Sequence, residues 1–371
     1  MTRQLSFLFL AATFVVTLSA QVQWTGEASA NALKSARTTS ARVVDAGNPT
    51  FGWRFDLFLD GKVTDNVSVI VRTRTSDDEL VNFDCAAIKI TNLANLGFNF
   101  QMGKFEMPFG NLADRRYPSK DFLYGLPLMY EYRTSLPDQV PTRGQVLVNR
   151  GNGVGMRLLD LGINDLGAMV FGDAGRVHYA VAVANGTVSS TTASAENEDS
   201  DFNKILRVAY TPITGLTFGA SAAMSAYLGG SARSLPRDLG RSHYQQMIGD
   251  FDVEFNRDKF MFNGEAVYSR WTVPFENADA NIWALGYNAE AKYTWIPRFY
   301  TAIRAGGLVF SRLDLEGSSP RWDNNIIEVE AGVGYSIDRN TLVKLVRRET
   351  HTLEITGPRD NLTVLQLAVS F

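Results

Sequence analysis

The sequence predicts an all-β chain, a transmembrane antiparallel β-barrel of about sixteen strands. Three observations carry this. First, the C-terminal segment Asn361–Phe371 alternates along its whole length. Thr363, Leu365, Leu367, Val369 and Phe371 share one face, which ends on an aromatic ring. Leu362, Val364, Gln366, Ala368 and Ser370 share the other, which carries polar atoms. Second, a short apolar run from Leu5 to Leu18 follows Arg3, and Leu18-Ser19-Ala20 supplies a small-residue cleavage site. Residues 1–20 are therefore expected to be a secretory signal peptide, with residues 21–371 forming the mature barrel. Third, no later segment approaches the run of about 18 apolar residues that a membrane helix needs. A secreted membrane chain must then cross with strands, and lipid tolerates strands only in a closed sheet.

Composition agrees. The chain of 371 residues has 36 Lys and Arg against 39 Asp and Glu, a net charge of −3. Neither a strongly basic nor a strongly acidic partner follows from that balance, and no nucleic-acid role is expected. Cys85 is the lone cysteine, which rules out a disulfide within the chain. His178, His243 and His351 lie far apart and form no metal spacing, so no metal or cofactor is expected.

The strands are justified in chain order. A strand near 22–32 is required by parity, because both chain ends of such a barrel lie on the same side of the membrane. Strands near 51–60, 66–75, 82–92 and 97–106 follow. Then come 152–160, 176–186, 203–211 and 216–228. In 245–256, Phe251, Val253 and Phe255 oppose Asp250, Asp252 and Glu254, and 260–272 follows. In 283–295, Trp283 and Trp295 share a face and stand roughly 40 Å apart along a strand at ~3.3 Å per residue. Tilted by ~40°, that projects to roughly 30 Å, the distance between two interfacial aromatic girdles. In 299–312, Ile303 and Ala305 oppose Arg304. In 325–336, Ile327, Val329 and Ala331 oppose Glu328 and Glu330. Strands 341–350 and 361–371 close the chain. Short turns (Pro212–Gly215, Asn256–Lys259, Ile296–Arg298, Ile337–Asn340) alternate with long loops, as periplasmic turns and extracellular loops should. Segment 161–175 is either a long turn or an extra hairpin. The hairpin would raise the count to about eighteen.

On this count the long connection 107–151 is the third extracellular loop. It holds Pro108, Pro118, Pro127, Pro137 and Pro141, and the aromatics Tyr117, Phe122, Tyr124, Tyr130 and Tyr132. Aromatics argue for a packed loop, inside or over the barrel, and against disorder. Carboxylates alternating with aromatics elsewhere suit a water-filled interior.

Gly103-Lys104-Phe105-Glu106-Met107-Pro108-Phe109-Gly110 resembles a segment of the phosphate-selective porin O and P family. So do the stretch from Phe55 through Gly61-Lys62-Val63-Thr64-Asp65 to Arg74, and Tyr179 to Gly186. The resemblance implies a sixteen-stranded trimeric porin in the outer membrane, among lipid and lipopolysaccharide. It implies a third loop folded inward, and passive passage of ions and small hydrophilic solutes. The C-terminus is similar to the signature read by the barrel assembly machinery, with Phe371 as its signal. For the constriction, the loop offers Arg115, Arg116, Lys120, Arg133 and Arg143. For the pore lining, one set of inward candidates is basic: Arg54, Arg72, Arg74, Arg207, Lys292 and Arg304. The other is acidic: Asp250, Asp252, Glu254, Glu265, Glu290, Glu328 and Glu330. The lysine cluster of phosphate-selective members has no counterpart. Opposed basic and acidic walls would instead set up a transverse field that favours small polar solutes. A barrel with a plugged lumen and a structural or adhesive role is the alternative.

Other chemistry is sparse. The acidic stretch Glu196-Asn-Glu198-Asp199-Ser-Asp201 could hold Ca²⁺ or be solvated, and it lacks the spacing of a calcium loop. Ser242-His243 and Glu349 near His351 lack a second orienting group, so no enzymatic activity is expected. Gly151-Asn-Gly153-Val-Gly155 precedes no helix and cannot cradle a phosphate as a nucleotide loop does.

Overall fold

A computed structural model describes residues 21–35, 49–77, 81–93, 97–160, 164–190, 201–230, 232, 235, 239–275, 279–315, 317–353 and 360–371. The proposed signal peptide and residues Glu196, Glu198 and Asp199 lie outside the described residues.

Sixteen strands form one closed antiparallel barrel. They are β1 (Gln21–Ser35), β2 (Thr50–Lys62), β3 (Val67–Ser76), β4 (Asn82–Ile90), β5 (Phe98–Glu106), β6 (Asn164–Ala174), β7 (Val177–Ala184) and β8 (Asn203–Ile213). Next come β9 (Leu216–Ala226), β10 (Gln245–Arg257), β11 (Phe260–Pro274), β12 (Asp279–Ile296), β13 (Phe299–Phe310), β14 (Ile326–Ser336), β15 (Thr341–Thr352) and β16 (Asp360–Ser370). Each strand pairs with its chain neighbours. β1 closes on β16 from Glu27↔Ser370 to Ser35↔Leu362. Gly26 and Phe371 exchange backbone hydrogen bonds of 3.0 and 2.9 Å, so the last residue ties down the seam. Its ring stacks on Phe55, with centroids 6.1 Å apart.

The period of two sorts side chains as the alternation predicts. Leu365 and Leu367 point outward and are exposed, while Gln366 between them is buried in the interior. The exterior carries large apolar side chains on most strands, including Phe51, Trp53, Val181, Leu206, Phe251, Ile303 and Val329. A closed sheet with that surface satisfies every ladder group internally, as hydrocarbon requires. Strand length varies around the ring. β4 and β5 have 9 residues each and β7 has 8, whereas β11 has 15 and β12 has 18. One side of the barrel is low and the other tall.

The strand expected at 152–160 is absent, and the sixth strand is 164–174. Gly151 and Gly153 adopt φ values of +71° and +64°, which break an extended run. The segment pairs instead within the loop. Thr134 N–H donates to the Met156 carbonyl at 2.7 Å, and Gly155 N–H donates to that of Thr134 at 2.9 Å. The third loop therefore runs on to residue 163, and segment 161–175 supplies part of the sixth strand and no additional hairpin.

Candidate functional site

The third loop fills one side of the barrel. Its helical turn at Leu128–Glu131 and its short helix at Arg143–Val148 are the longest regular pieces in it. The apolar residues Met107, Leu112, Met129, Leu136, Val146 and Leu158 are buried against inward Trp271, Ile282, Phe310 and Ile326 of the tall wall. Side chains of long loops bury this way only if something in the lumen receives them. Here the receiving positions are inward and apolar.

Polar anchors surround that core. Arg115 Nη1 reaches Glu290 at 2.5 Å. Arg304 spans Glu290 at 2.9 Å, Glu330 at 3.1 Å and loop residue Asp121 at 3.2 Å, and donates to the Gly125 carbonyl at 3.0 Å. Arg348 pairs with Glu330 at 3.2 Å and donates to the Tyr124 carbonyl. Lys344 places all three of its N–H donors on loop carbonyls, those of Pro118, Asp121 and Leu123, at 3.0, 2.9 and 2.8 Å. Tyr130 donates its hydroxyl to Glu265, and Gly110 N–H donates to Ser221 Oγ at 3.0 Å. At the mouth, Asp323 accepts from Ser135 N–H at 2.8 Å and Tyr132 O–H at 3.1 Å. Burial there lifts the Asp323 carboxyl to about 6, against the pull of those donors. For Arg115, burial opposes the charge, but Glu290 and Glu265 outweigh it and hold the guanidinium above its ordinary value.

This arrangement relocates the expected pore lining. Asp250, Asp252, Glu265, Glu290, Glu328 and Glu330 do face inward, but they are 7, 1, 5, 2, 3 and 0 % exposed. Glu265, Glu290 and Glu330 serve as the loop's footing, Asp250, Asp252 and Glu328 bond to Ser221, Arg207 and Thr350 of the wall, and of the seven acidic candidates Glu254 stays exposed. Arg207 is spent on Asp252, at 2.6 Å, and Lys292 sits over the rings of Phe122 and Tyr300 at 4.5 and 5.1 Å. Among the loop cations, Lys120 is exposed. Arg133 donates to the Gly155 carbonyl at 3.4 Å. Arg143 stands at the mouth, bonded to the Asp314 carbonyl at 2.5 Å and lying over Phe275. These three, and Arg115, do not converge on one constriction.

The open space lies on the other side of the loop, along β1 to β3. A cleft of about 530 Å³ opens between the loop and β1 to β3, lined by Asn31, Arg54, Asp77, Arg116, Asp121 and Tyr124 among others. A second cleft, of about 430 Å³, is lined by Asp60, Lys62, Ser68, Ile70 and Lys89 toward the turn between β2 and β3. The register puts Arg54↔Ser76 at the first cleft and Asp60↔Ile70 at the second. Two rows separate them, Asp56↔Arg74 and Phe58↔Arg72, faced by Tyr117 of the loop.

That narrow zone is built of guanidiniums and rings. Arg54 and Arg116 lie over Tyr117 at 5.7 and 5.2 Å from its centroid, and Arg72 lies over Phe58 at 5.7 Å. Phe58 meets Tyr117 edge-on at 5.1 Å. Asp56 engages Arg54 at 2.6 Å and Arg74 at 3.4 Å, Asp84 engages Arg74 at 2.6 Å, and Glu106 engages Arg116 at 3.4 Å. Arg72 has no carboxylate within ion-pair distance among the described residues, and its polar contact is the Tyr117 hydroxyl at 3.4 Å. Arg54, Arg72 and Arg74, expected as pore lining, thus come together with Arg116, expected at the constriction, joined by Tyr117, expected as a packing aromatic of the loop, and by Phe58, which the sequence did not single out. The signal for Phe58 was present: it shares the inward alternation with Arg54 and Asp56.

No family model matches this chain, and no curated protein matches it. Its fold is nevertheless shared with solved porin-type barrels. An anion-selective porin from Comamonas acidovorans superposes with a TM-score of 0.65 at 10% identity, covering 95% of this chain and 100% of that one. A loop-deletion mutant of OmpT, an outer membrane protein of Vibrio cholerae, gives 0.61 at 13% identity, covering 95% and 100%. The outer membrane channel DcaP of Acinetobacter baumannii gives 0.60 at 11% identity, covering 95% and 97%. At these identities the likeness concerns the fold, a closed sixteen-stranded barrel.

Proposed function

We propose that this chain is an outer-membrane porin, a passive channel for ions and small hydrophilic solutes that prefers anions. The observation that carries the preference is the narrow zone between the two clefts. Among the described residues four guanidiniums meet three carboxylates there, and Arg72 has none within ion-pair distance. In a low-dielectric passage an excess of one cation is enough to favour anions over cations. The stacked rings hold the guanidiniums in place without neutralising them. Phosphate is one candidate solute among small anions. Among its described residues the narrow zone has no group arranged as a nucleophile with its base, and transport needs none.

Trimeric assembly, contact with lipid and lipopolysaccharide, and delivery through the assembly machinery by way of Phe371 belong to the same proposal. The low wall supports a trimer. β7 projects to roughly 20 Å at ~3.3 Å per residue and ~40° tilt, less than an apolar band of about 25 Å, whereas β12 reaches roughly 45 Å. A low wall is best covered by another copy.

The test is reconstitution of the refolded barrel in a planar bilayer under a salt gradient. A reversal potential on the anion side is expected, moving toward zero in Arg72→Gln. A cation-side potential would refute the anion preference. A folded barrel without conductance would establish the plugged, structural alternative, which the loop's occupation of the tall side favours.

A further inference from the structure

The cleft of about 530 Å³ between the loop and β1 to β3 is lined by two buried polar side chains with unmet atoms of opposite kinds. Gln366 and Arg116 are 5 and 7 % exposed. Among the described residues Gln366 Oε1 lacks a donor and Arg116 Nε lacks an acceptor. An unmet buried polar atom is costly, so each marks a place where a solute's own polar group gains most.

The two ends of the cleft belong to successive inward rows of the sheet. The row nearer the long loops runs across the seam. Gln366 of β16 is in register with Asn31 of β1, and Asn31 with Gly52 of β2. Asp77, just past β3, joins by donating its N–H to the Trp53 carbonyl at 3.4 Å. Oxygens converge there. Asn31 gives its Nδ2 to the Tyr124 hydroxyl at 2.8 Å, which leaves its Oδ1 for the space over Gly52. A Cβ at Gly52 would stand 2.6 Å from Asn31 Oδ1 and 3.2 Å from Asp77 Oδ2, so the bare glycine is what lets both oxygens in. Asp77 is exposed and accepts from Trp53 N–H at a long 3.4 Å, and among the described residues it has no cation within ion-pair distance. Glu131 and Asp121 also line the cleft and add negative charge, tied to Leu126 N–H at 2.9 Å and to Arg304 at 3.2 Å. The next row is cationic. Ser29↔Arg54↔Ser76 lies two residues closer to the narrow zone, roughly 7 Å along the strand. Arg116 stands with it, since Arg54 Nη1 donates to the Arg116 carbonyl at 3.3 Å.

We propose that this cleft selects zwitterions of the α-amino-acid class, the ammonium held by Asp77 with Asn31 and Gln366, the carboxylate by Arg116. A primary ammonium brings three N–H donors and one charge, and the outer row offers three oxygens and one charge. A hydroxyl in its place leaves Asp77 unbalanced, and a simple anion is repelled from it. The carboxylate end then faces Arg116 and, beyond it, Arg72, so the solute enters the narrow zone by its anionic end. This site rests on the channel reading above and narrows it to one class of solute.

The test uses the refolded full barrel in vesicles and the uptake of three solutes of similar size: alanine, lactate and 1-amino-2-propanol. They are a zwitterion, an anion and a cation. Alanine is expected to enter about threefold faster than either, and saturably, the scale of one exposed ion pair. Asp77→Asn should erase that lead, while lactate uptake rises because a repelling charge is gone. Gln366→Met keeps the volume and the charge but removes one acceptor, so it should shrink the lead on its own. Reversal potentials of the same preparations are read in parallel, and that of Asp77→Asn should move further to the anion side. Equal entry of alanine and lactate into wild-type vesicles would overturn the proposal, as would a lead that survives both variants. Fastest entry of the amine would make the cleft a plain cation site and overturn it too. A wild type with an anion-side potential but no alanine lead refutes this site alone. A cation-side potential, or no conductance, refutes the reading on which it rests.

Discussion

Lys344→Met isolates the attachment of the third loop from the stability of the barrel. The ammonium of Lys344 is 1 % exposed and its three hydrogen bonds all end on loop carbonyls. A hydrogen bond to a charged group is worth about 1.5–3 kcal/mol, so three give roughly 4–9 kcal/mol of attachment before the burial of the ammonium is counted. Methionine fills a similar volume and escapes the desolvation of a buried ammonium, which costs several kcal/mol. The difference leaves a net loss of about 2–4 kcal/mol in docking, or a rise of roughly 30- to 1,000-fold in the undocked population. The strand ladder is untouched, so the heat-modifiable mobility of the folded barrel should persist. Limited proteolysis within 113–126 should accelerate by that factor, and single channels should become larger and noisier. Cleavage at the wild-type rate with unaltered openings would refute the account, because it would mean the apolar core alone holds the loop.

Two further outcomes follow from local geometry. Gly103 sits at φ +126° on β5, and a Cβ there would stand 2.9 Å from the Ala87 Cα, so Gly103→Ala should cost about 1–3 kcal/mol, measured as a lower urea midpoint for refolding into vesicles. Asp323 has a folded value of about 6 against an ordinary 3.8. A raised acid contributes stability in full below about 3.8 and loses it as pH rises through 6. Docking of residues 132–135 should therefore be tighter at pH 4 than at pH 7.5, as read by proteolysis. Asp323→Asn should flatten that window, and a wild-type profile already flat between the two pH values would contradict the assignment.

The strands were legible because each is a two-sided object. Trp283 to Trp295, Glu328 between Ile327 and Val329, and Leu365 beside Gln366 declare their faces without any neighbour. The sixth strand escaped because its outward face is weak. On that face Gly172 stands where Tyr179 of β7 presses close, and Leu166, Ala168 and Val170 add little bulk, so the apolar signal there is thin. Val154, Met156 and Leu158 mimic alternation while two of them pack inside the loop. The site was legible in part for a different reason. Alternation tells which charges point inward, as it did for Glu290 and Arg72, but not whether water or a loop meets them there. That depends on contacts between residues such as Asp121 and Arg304, 183 positions apart, which no local pattern encodes.

The loop's attachments also bear on how the ring stays shut. Residues 118–124 reach β1, where Glu27 accepts from Ser119 N–H at 3.1 Å and Asn31 donates to the Tyr124 hydroxyl at 2.8 Å. The same few residues hold Lys344 and Arg348 of β15. They straddle the junction where the first and last strands meet, the joint that forms only after the whole chain has been laid down. The inner loop is thus a brace across that joint, and its full set of contacts exists only when the first and last strands stand side by side. A half-built ring would stand wide and unbraced, and both its closure and its narrowing would be completed by one docking event.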